Sequence, residues 1–422
     1  MSDAAHLQRA LVDGLTRRGH IRSARVEAAF RAVARHAFLP GVPLDEVYRD
    51  QVVVTKKIDG EAVSSSSQPQ IMAVMLEQLG LAPGQRVLEI GAGTGYNAAL
   101  MAHIVGGSGE VVTVDIERDL VDAARDHLEA AGFGRVRVVL GDGGDGHPGG
   151  APYDRIILTV GAWDVAPAWR DQLGRGGRLV LPLMIGGSQK SVAFERDADQ
   201  LTSVSVTECV FMPLRGAFAA PLSRVGLGPA PGLNLHTRDP DRVDPVAAHT
   251  LLRGPTSDMP TGVSVTGREV YGGLILWTAI REPGFWWLEV TGPEADAHLV
   301  PHLFALAGKY RSTAGVFDGG SAGFFMRPPG GRVPVEAETE PRPFELHVRS
   351  FGDAGHPARR LLGHARAWDA AGRPGTEGLR IRAFPIEAAY ASLPHELVVT
   401  KRWSRFVLDW PAQTETRASG PR

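Results

Sequence analysis

Ten residues constrain this chain more than any other stretch: VLEIGAGTGY, from Val87 to Tyr96. The apolar run RVLEI (86–90) has the length of a buried strand, and it stops at a cluster of glycines that opens a predicted helix from about Asn97 to Val105. Glycine at such a turn permits positive φ and leaves no Cβ between the backbone and a bound group. The same grammar repeats downstream. VVTVDI (111–116) is followed by a predicted helix from about Asp119 to Ala131, then by VRVVL (136–140), RIILTV (155–160) and GRLVLPL (177–183). Short, β-branched strands separated by helices predict a parallel sheet with crossover helices. KSVAFER and LTSVSVTECV then alternate with period two about a polar DADQ turn, which predicts an antiparallel hairpin closing that sheet. Upstream, the spacing of Val26, Phe30 and Val33 predicts a helix that stops near Pro40.

The glycine spacing separates ligand classes. A dinucleotide fingerprint requires a glycine where this chain has Tyr96, and no Gly-Lys-Ser/Thr follows to make a triphosphate-binding loop. What remains is the E-x-G-x-G-x-G arrangement of methyltransferases that use S-adenosylmethionine (SAM). Asp115 ends the next strand, 24 residues after Gly91, where an acid can accept hydrogen bonds from ribose hydroxyls. Gly141, Asp142 and Gly143 end the third strand, where the acid can reach an adenine amino group and the glycines leave room for the ring. All three turns fall at carboxyl ends of strands, the place where open α/β sheets bind ligands. The expected cofactor is SAM, and the expected cofactor-binding residues are Glu89, Gly91, Gly93, Gly95, Asp115, Ile116, Asp142 and Gly143. The expected fold class is α/β, a Rossmann-like SAM-dependent methyltransferase domain with a second α+β C-terminal domain.

A chain of 422 residues exceeds one compact domain. The pattern predicts a methyltransferase domain over 1–215, a Pro- and Gly-rich linker over 216–235, and an α+β accessory domain over 236–422. In that last part VSVTG, GLILWTAI, FWWLEVTG, FELHVRSFG, LRIRAFP and ELVVTKRW read as strands, with helices near 294–308 and 354–372. It carries six of the eight tryptophans, enough material for a core of its own. The net charge of −2, from 45 basic and 47 acidic residues, argues against a nucleic-acid partner. The single cysteine, Cys209, excludes an internal disulfide and a cysteine-based metal cage. With no run of about 18 apolar residues and no signal-peptide core, neither export nor a membrane partner is expected, and the expected location is the cytoplasm.

Further matches follow one another in a fixed order: VEAAF (Val26 to Phe30), FLP (Phe38 to Pro40), Tyr48 and Asp50, SQP (Ser67 to Pro69), Met75 and Leu76, and the glycine turn. They continue through Gly141 to Gly143, APYDRII (Ala151 to Ile157), Gln172 and Leu173, GGRLVLP (Gly176 to Pro182) and Gln189. In that order and spacing, residues 20 to about 195 resemble the protein-L-isoaspartate (D-aspartate) O-methyltransferase family. The resemblance implies methyl transfer from SAM to the side-chain carboxylate of an aspartyl or isoaspartyl residue in a peptide or protein. It places the family's active-site serine on Ser67, with Ser66 beside it as a second candidate catalytic residue. A carboxylate is already ionised at neutral pH, so the chemistry needs alignment, desolvation and an in-line approach rather than a strong base. Once esterified, the side-chain carbonyl can be attacked by the next backbone nitrogen to give a succinimide, which water opens to aspartate or isoaspartate.

The chain departs from the family at GEAVSSSSQP (Gly60 to Pro69), where serines replace the usual Thr and Ile. The serine run reads as a solvated loop at Ser64 and Ser65, whereas Ser66 and Ser67 adjoin the matching Gln68 and Pro69. The extra length resembles the extended methyltransferases of ribosomal peptide maturation, including lanthipeptide and graspetide systems. The leading expectation is therefore a modified precursor peptide as partner; the alternative is general repair of damaged proteins. A non-catalytic SAM-binding scaffold is disfavoured by the intact Glu89, Asp115, Asp142 and Ser67. Pro301 interrupts His298 and His302, so no metal site is expected there. Trp286 and Trp287 fall on opposite faces of a strand, Glu336, Glu338 and Glu340 read as a solvated loop, KRWSR (Lys401 to Arg405) is too short for a nucleic-acid surface, and TETRASGPR reads as a frayed tail.

Overall fold

The computed structural model describes residues 3–410 apart from 222, 229–231, 238–242, 283, 292–299, 307–309, 319, 331–341, 353–354, 392 and 394–395. The chain divides into two units. One comprises Met1–Met184, Gln189–Ala220 and Arg380–Asp409, the other Ile185–Ser188, Pro221–Leu379 and Trp410–Arg422.

The first unit begins with helices α1 (Asp3–Arg17), α2 (Ala24–Ala32) and α3 (Leu44–Val47) and a hairpin, β1 (Val53–Ile58) with β2 (Glu61–Ser66). The alternating segment follows: α4 (Pro69–Leu79), β3 (Arg86–Ile90), α5 (Tyr96–Val105), β4 (Glu110–Asp115), α6 (Arg118–Ala130), β5 (Arg137–Leu140), β6 (Tyr153–Leu158), α7 (Pro167–Gln172) and β7 (Leu173–Ile185). The pairs β5–β4, β4–β3, β3–β6 and β6–β7 are parallel, as the sequence pattern predicts. Helix α5 is buried at nine positions, including the small Ala98, Ala99 and Ala102; a helix apolar on all sides belongs inside the core. Helix α6 buries only Val121, Ala124 and Leu128, one stripe at helical spacing. The predicted hairpin is β8 (Ser188–Asp197) with β9 (Gln200–Glu208).

Past β9 the structure corrects the predicted division of the chain. Three strands from its far end, β18 (Arg380–Pro385), β19 (Leu397–Thr400) and β20 (Ser404–Asp409), return to extend the first sheet, whose order is β19-β20-β18-β9-β8-β7-β6-β3-β4-β5. β18 pairs with β9 through Arg382 opposite Thr202 and Ala383 opposite Leu201. Ile381, Ala383, Phe406, Val407 and Leu408 are buried. Uncovered, β9 would present an open row of backbone N–H and C=O groups. LRIRAFP and ELVVTKRW are thus strands, but of the first unit, so 236–422 is not one domain.

The second unit is an antiparallel sheet of β10 (Ser223–Gly226), β11 (Leu233–Thr237), β12 (Thr256–Val265), β13 (Phe285–Thr291), β14 (Phe304–Leu306), β15 (Tyr310–Asp318), β16 (Ser321–Met326) and β17 (Phe344–Phe351). The helix His356–Ala370 sends Leu361, Ala365 and Trp368 into a core with Phe325, Leu346 and Val348. β10 and the start of β11 occupy the predicted linker 216–235. GLILWTAI, read as a strand, is helical: a π turn at Val270–Leu274 runs into the helix Ile275–Arg281. A short continuous apolar run fits a buried helix as well as a strand. Of the helix expected near 294–308, residues 292–299 and 307–309 lie outside the described residues, and 304–306 is strand β14. His298, Glu336, Glu338, Glu340 and the tail from Thr414 also lie outside them. On β13, Trp286 stacks on Phe317 with ring centroids 5.1 Å apart, while the neighbouring Trp287 donates its indole N–H to the Gly187 carbonyl (2.6 Å). Among the described residues no helix is long and apolar enough to cross a membrane, and no group of His, Cys, Asp and Glu could hold a metal ion.

Candidate active site

The turn after β3 is shaped by its neighbours. Gly91, Gly93 and Gly95 have φ of 101°, 51° and 85°, values that side chains rarely adopt. A Cβ on Gly91 would also come within 2.6 Å of the Thr159 hydroxyl, and one on Gly95 within 3.1 Å of Leu128 on α6. Thr159 donates that hydroxyl to the Gly91 carbonyl (2.7 Å), fastening the turn to the end of β6.

Glu89 requires a correction. The sequence groups it with residues that contact the cofactor, but its side chain is fully buried and both oxygens are taken by the protein. Asn97 Nδ2, at the start of α5, donates to Oε1 and Thr113 Oγ1, on β4, donates to Oε2, both at 2.7 Å. Burial pushes its pKa up to about 7. Glu89 braces the turn from beneath rather than lining it.

Asp115 and Asp142 lie where the strand pattern puts them, at the ends of β4 and β5, and each organises the backbone around it. Asp115 Oδ2 accepts the Gly93 N–H (3.0 Å) and Oδ1 the Glu117 N–H (3.2 Å), tying the first turn to the second. Asp142 Oδ1 accepts the Gly144 N–H (2.9 Å) and Oδ2 the Ala217 N–H (2.7 Å). Ile116, beside Asp115, leaves 39 % of its surface exposed. Gly143 is buried, and Ile90 and Leu214 fill the space its missing side chain would take. Its small size serves packing against those two side chains. The remaining residues fit SAM: an ionised carboxylate has about four lone-pair sites, so Asp115 and Asp142 can each accept further bonds, and no side chain on Gly91, Gly93 or Gly95 stands between turn and ligand.

The serine run is a strand, not the loop expected at Ser64 and Ser65. β2 continues through Ser66, with Ser64 and Ser66 buried and Ser65 half-buried between them. Ser64 accepts the Thr55 hydroxyl across the hairpin (2.9 Å). The Ser65 carbonyl lies 3.7 Å from where a Cβ on Gly93 would be, so the serines run against the glycine turn. Ser67 follows the strand, and its carbonyl accepts from Arg35 Nη2 (3.0 Å). Arg35 is fully buried, gives Nε to the Val47 carbonyl (3.1 Å), lies 5.2 Å from the Tyr96 ring centroid, and has its pKa lowered by burial. Sequence reasoning missed Arg35, because an isolated arginine near a helix end looks solvent-facing. It also missed Glu117, two residues past Asp115. Glu117 takes Lys56 Nζ of the hairpin (2.8 Å) and Arg215 Nη1 (2.5 Å) on separate oxygens, and these two cations hold its pKa below the usual carboxylate value.

A parallel sheet, a side-chain-free turn after its first strand and acids ending the next two strands define a SAM-dependent methyltransferase. The chain belongs to the protein-L-isoaspartate(D-aspartate) O-methyltransferase family, whose family model matches residues 6–218. It is 44 % identical over 173 residues to the protein-L-isoaspartate O-methyltransferase of Thermotoga maritima, a match spanning 41 % of this chain and 54 % of that relative. With the Methanopyrus kandleri enzyme of the same name it shares 39 % identity over 208 residues, 49 % of this chain and 90 % of the relative. A solved structure of a protein-L-isoaspartate O-methyltransferase superposes with a TM-score of 0.50 at 25 % identity, covering 89 % of this chain and 96 % of that one.

Proposed function

We propose that this methyltransferase esterifies the side-chain carboxylate of one aspartyl or isoaspartyl residue in a peptide, as a step in maturing a ribosomally made, modified peptide. The observation that carries the reading is the serine strand laid against the glycine turn and held by a buried arginine. SAM, when bound, supplies an electrophilic methyl whose S–CH3 bond breaks as an acceptor carboxylate oxygen forms the new O–CH3 bond. The protein's part is positional. The Ser66 and Ser67 hydroxyls hold an acceptor carboxylate oxygen; Arg35 fixes the backbone that presents them; Asp115 and Asp142 hold the ribose and adenine ends, with Ile116 as an apolar contact beside them. No side chain has to remove a proton, because the acceptor arrives ionised. The ester then loses methanol when the next backbone nitrogen of the peptide closes the succinimide.

Replacement of the family's Thr and Ile by serines changes the surface an acceptor meets, which favours a dedicated substrate. Length no longer does so, since a solved protein-L-isoaspartate O-methyltransferase covers 89 % of the chain, and this supports general repair as the second reading. The test incubates the full chain and SAM with an unrelated isoaspartyl peptide, its aspartyl counterpart, and the cyclised peptide encoded beside the gene. Mass spectrometry follows addition of a methyl and loss of methanol. Maturation predicts turnover of the neighbouring peptide alone. Efficient methylation of the unrelated isoaspartyl peptide, with the neighbouring peptide untouched, overturns it in favour of repair.

A further inference from the structure

Residues 209–218 cross the carboxyl end of the first sheet as a strap. The Gln189 side-chain amide holds its start, exchanging two bonds with the Phe211 backbone (2.9 and 2.7 Å). Gly161 pairs with its middle, donating to the Met212 carbonyl (2.7 Å) and accepting from Leu214 N–H (2.8 Å). Beyond Leu214 the strap rests on the ends of β4 and β5. Arg215 meets Glu117, and the Ala217 N–H meets Asp142. Gly216 lies so close to Asp142 and Ile116 that a Cβ there would come within 3.0 Å of Ile116 Cδ1. The Phe218 ring covers Gly144. The strap thus touches Ile116 and Asp142, two residues proposed to hold the adenosine of SAM.

Behind Phe218 stands Trp403, with ring centroids 4.8 Å apart and planes inclined by 40°. Trp403 arrives from the far end of the chain, in the turn between β19 and β20. That turn is anchored to the loop after β6 and to α7. The Trp403 N–H donates to Asp164 Oδ2 (2.8 Å), its carbonyl accepts Arg170 Nη2 (3.2 Å), and Ser404 Oγ donates to the Val165 carbonyl (3.3 Å). Lys401 Nζ donates to the carbonyls of Trp163 and Met184. The tryptophan is therefore a fixed platform, whereas Gly216 and Ala217 of the strap are exposed.

We propose that Trp403 is a positioning residue for the cofactor: by backing Phe218 it holds residues 215–218 down on Ile116, Asp142 and Glu117, closing the adenosine end of the SAM site. The inference rests on the proposed cofactor residues. An aromatic pair of this kind is worth roughly a 2- to 10-fold change in an equilibrium. Stopped-flow release of SAM from the full chain should accelerate by about that factor in Trp403→Ala and in Phe218→Ala. The double variant should release no faster than either single one, because both remove the same contact. Trp403→Phe should restore slow release, a rescue that a general loss of folding would not give. Independently of cofactor, trypsin should cut after Arg215 faster in Trp403→Ala than in the unaltered chain. Unchanged SAM release in Trp403→Ala, or additive effects in the double variant, overturns the proposal. Undiminished SAM binding in both Asp115→Ala and Asp142→Ala overturns the cofactor-site reading instead, and the proteolysis result then reports on the strap alone.

Discussion

Replacing Glu89 by Gln should make the protein more stable at neutral and alkaline pH, and the gain should disappear in acid. Glu89 lies at 0 % exposure, and burial raises its pKa from 4.5 to about 7. The folded state holds the proton more tightly than the unfolded chain, so between those two values folding takes up a proton and stability falls as pH rises. Below 4.5 both states are protonated and the residue adds no pH dependence. Above about 7 the full cost is present. At about 1.36 kcal/mol per pKa unit, that cost is roughly 3 kcal/mol, a large fraction of the net stability of an ordinary domain. Glutamine stays neutral throughout and keeps the geometry, with its oxygen facing Asn97 Nδ2 and its amide facing the Thr113 hydroxyl, which can accept as well as donate. Urea denaturation of both proteins from pH 4 to pH 8 gives the difference directly. The curves should converge near pH 4 and separate in favour of Glu89→Gln by about 3 kcal/mol near pH 8. A separation independent of pH, or one in which the unaltered protein gains as pH rises, would refute the claim that burial dominates at this carboxyl.

Ser67→Ala should lower methyl transfer by roughly 10- to 100-fold, the worth of one hydrogen bond to a charged group, while SAM affinity by calorimetry stays within a few-fold; unchanged turnover would remove Ser67 from the acceptor site. Asp115→Ala should weaken SAM binding by at least about 10-fold, since it loses a ribose acceptor and also releases the Gly93 N–H that shapes the turn; equal affinity would exclude Asp115. Phe406→Ala should cost about 3–5 kcal/mol in the unfolding transition that SAM stabilises, because the ring is fully buried in the returning strand; a loss confined to a separate transition would mean that 380–409 does not share the first unit's core.

In the α/β segment, what depended on local periodicity was legible in the sequence, whereas in the second unit the short apolar run GLILWTAI reads as a strand and folds as a helix. β3, β4 and β5 end within a residue of the predicted strands, and Asp115 and Asp142 fall at their carboxyl ends. Pairings between distant segments were not legible. LRIRAFP shows the alternation of a strand, but nothing in it names β9 as its neighbour, and the connecting residues include a complete second sheet. Serine has weak strand preference, so the run at 64–67 reads as a loop until the alternating burial of Ser64 and Ser66 is seen. Glu89 carries a related lesson: its place in the glycine motif was correct, but a motif position does not say which way a side chain faces. Here it faces Asn97 and Thr113.

The extra length has to be divided before it can be assigned a purpose. Cutting the chain after Ala220 would remove the second sheet together with β18, β19 and β20, leaving β9 as an open edge and Phe218 without Trp403. Loss of methyl transfer in such a truncation would say nothing about peptide recognition, since the cofactor site itself would be altered. The informative comparison keeps the returning strands and changes only what an acceptor meets. In β2 that means restoring Thr and Ile at Ser65 and Ser66, the two positions that precede Ser67-Gln68-Pro69. Ser65 is half-buried with its carbonyl facing Gly93 and Ser66 is buried beside it, so the exchange alters one partly exposed and one covered position of the strand that lies against the turn. A dedicated peptide enzyme should lose its own substrate and gain activity on an unrelated isoaspartyl peptide after this exchange. A repair enzyme should show little change in preference, and that outcome would leave the serine strand without a role in choosing the acceptor.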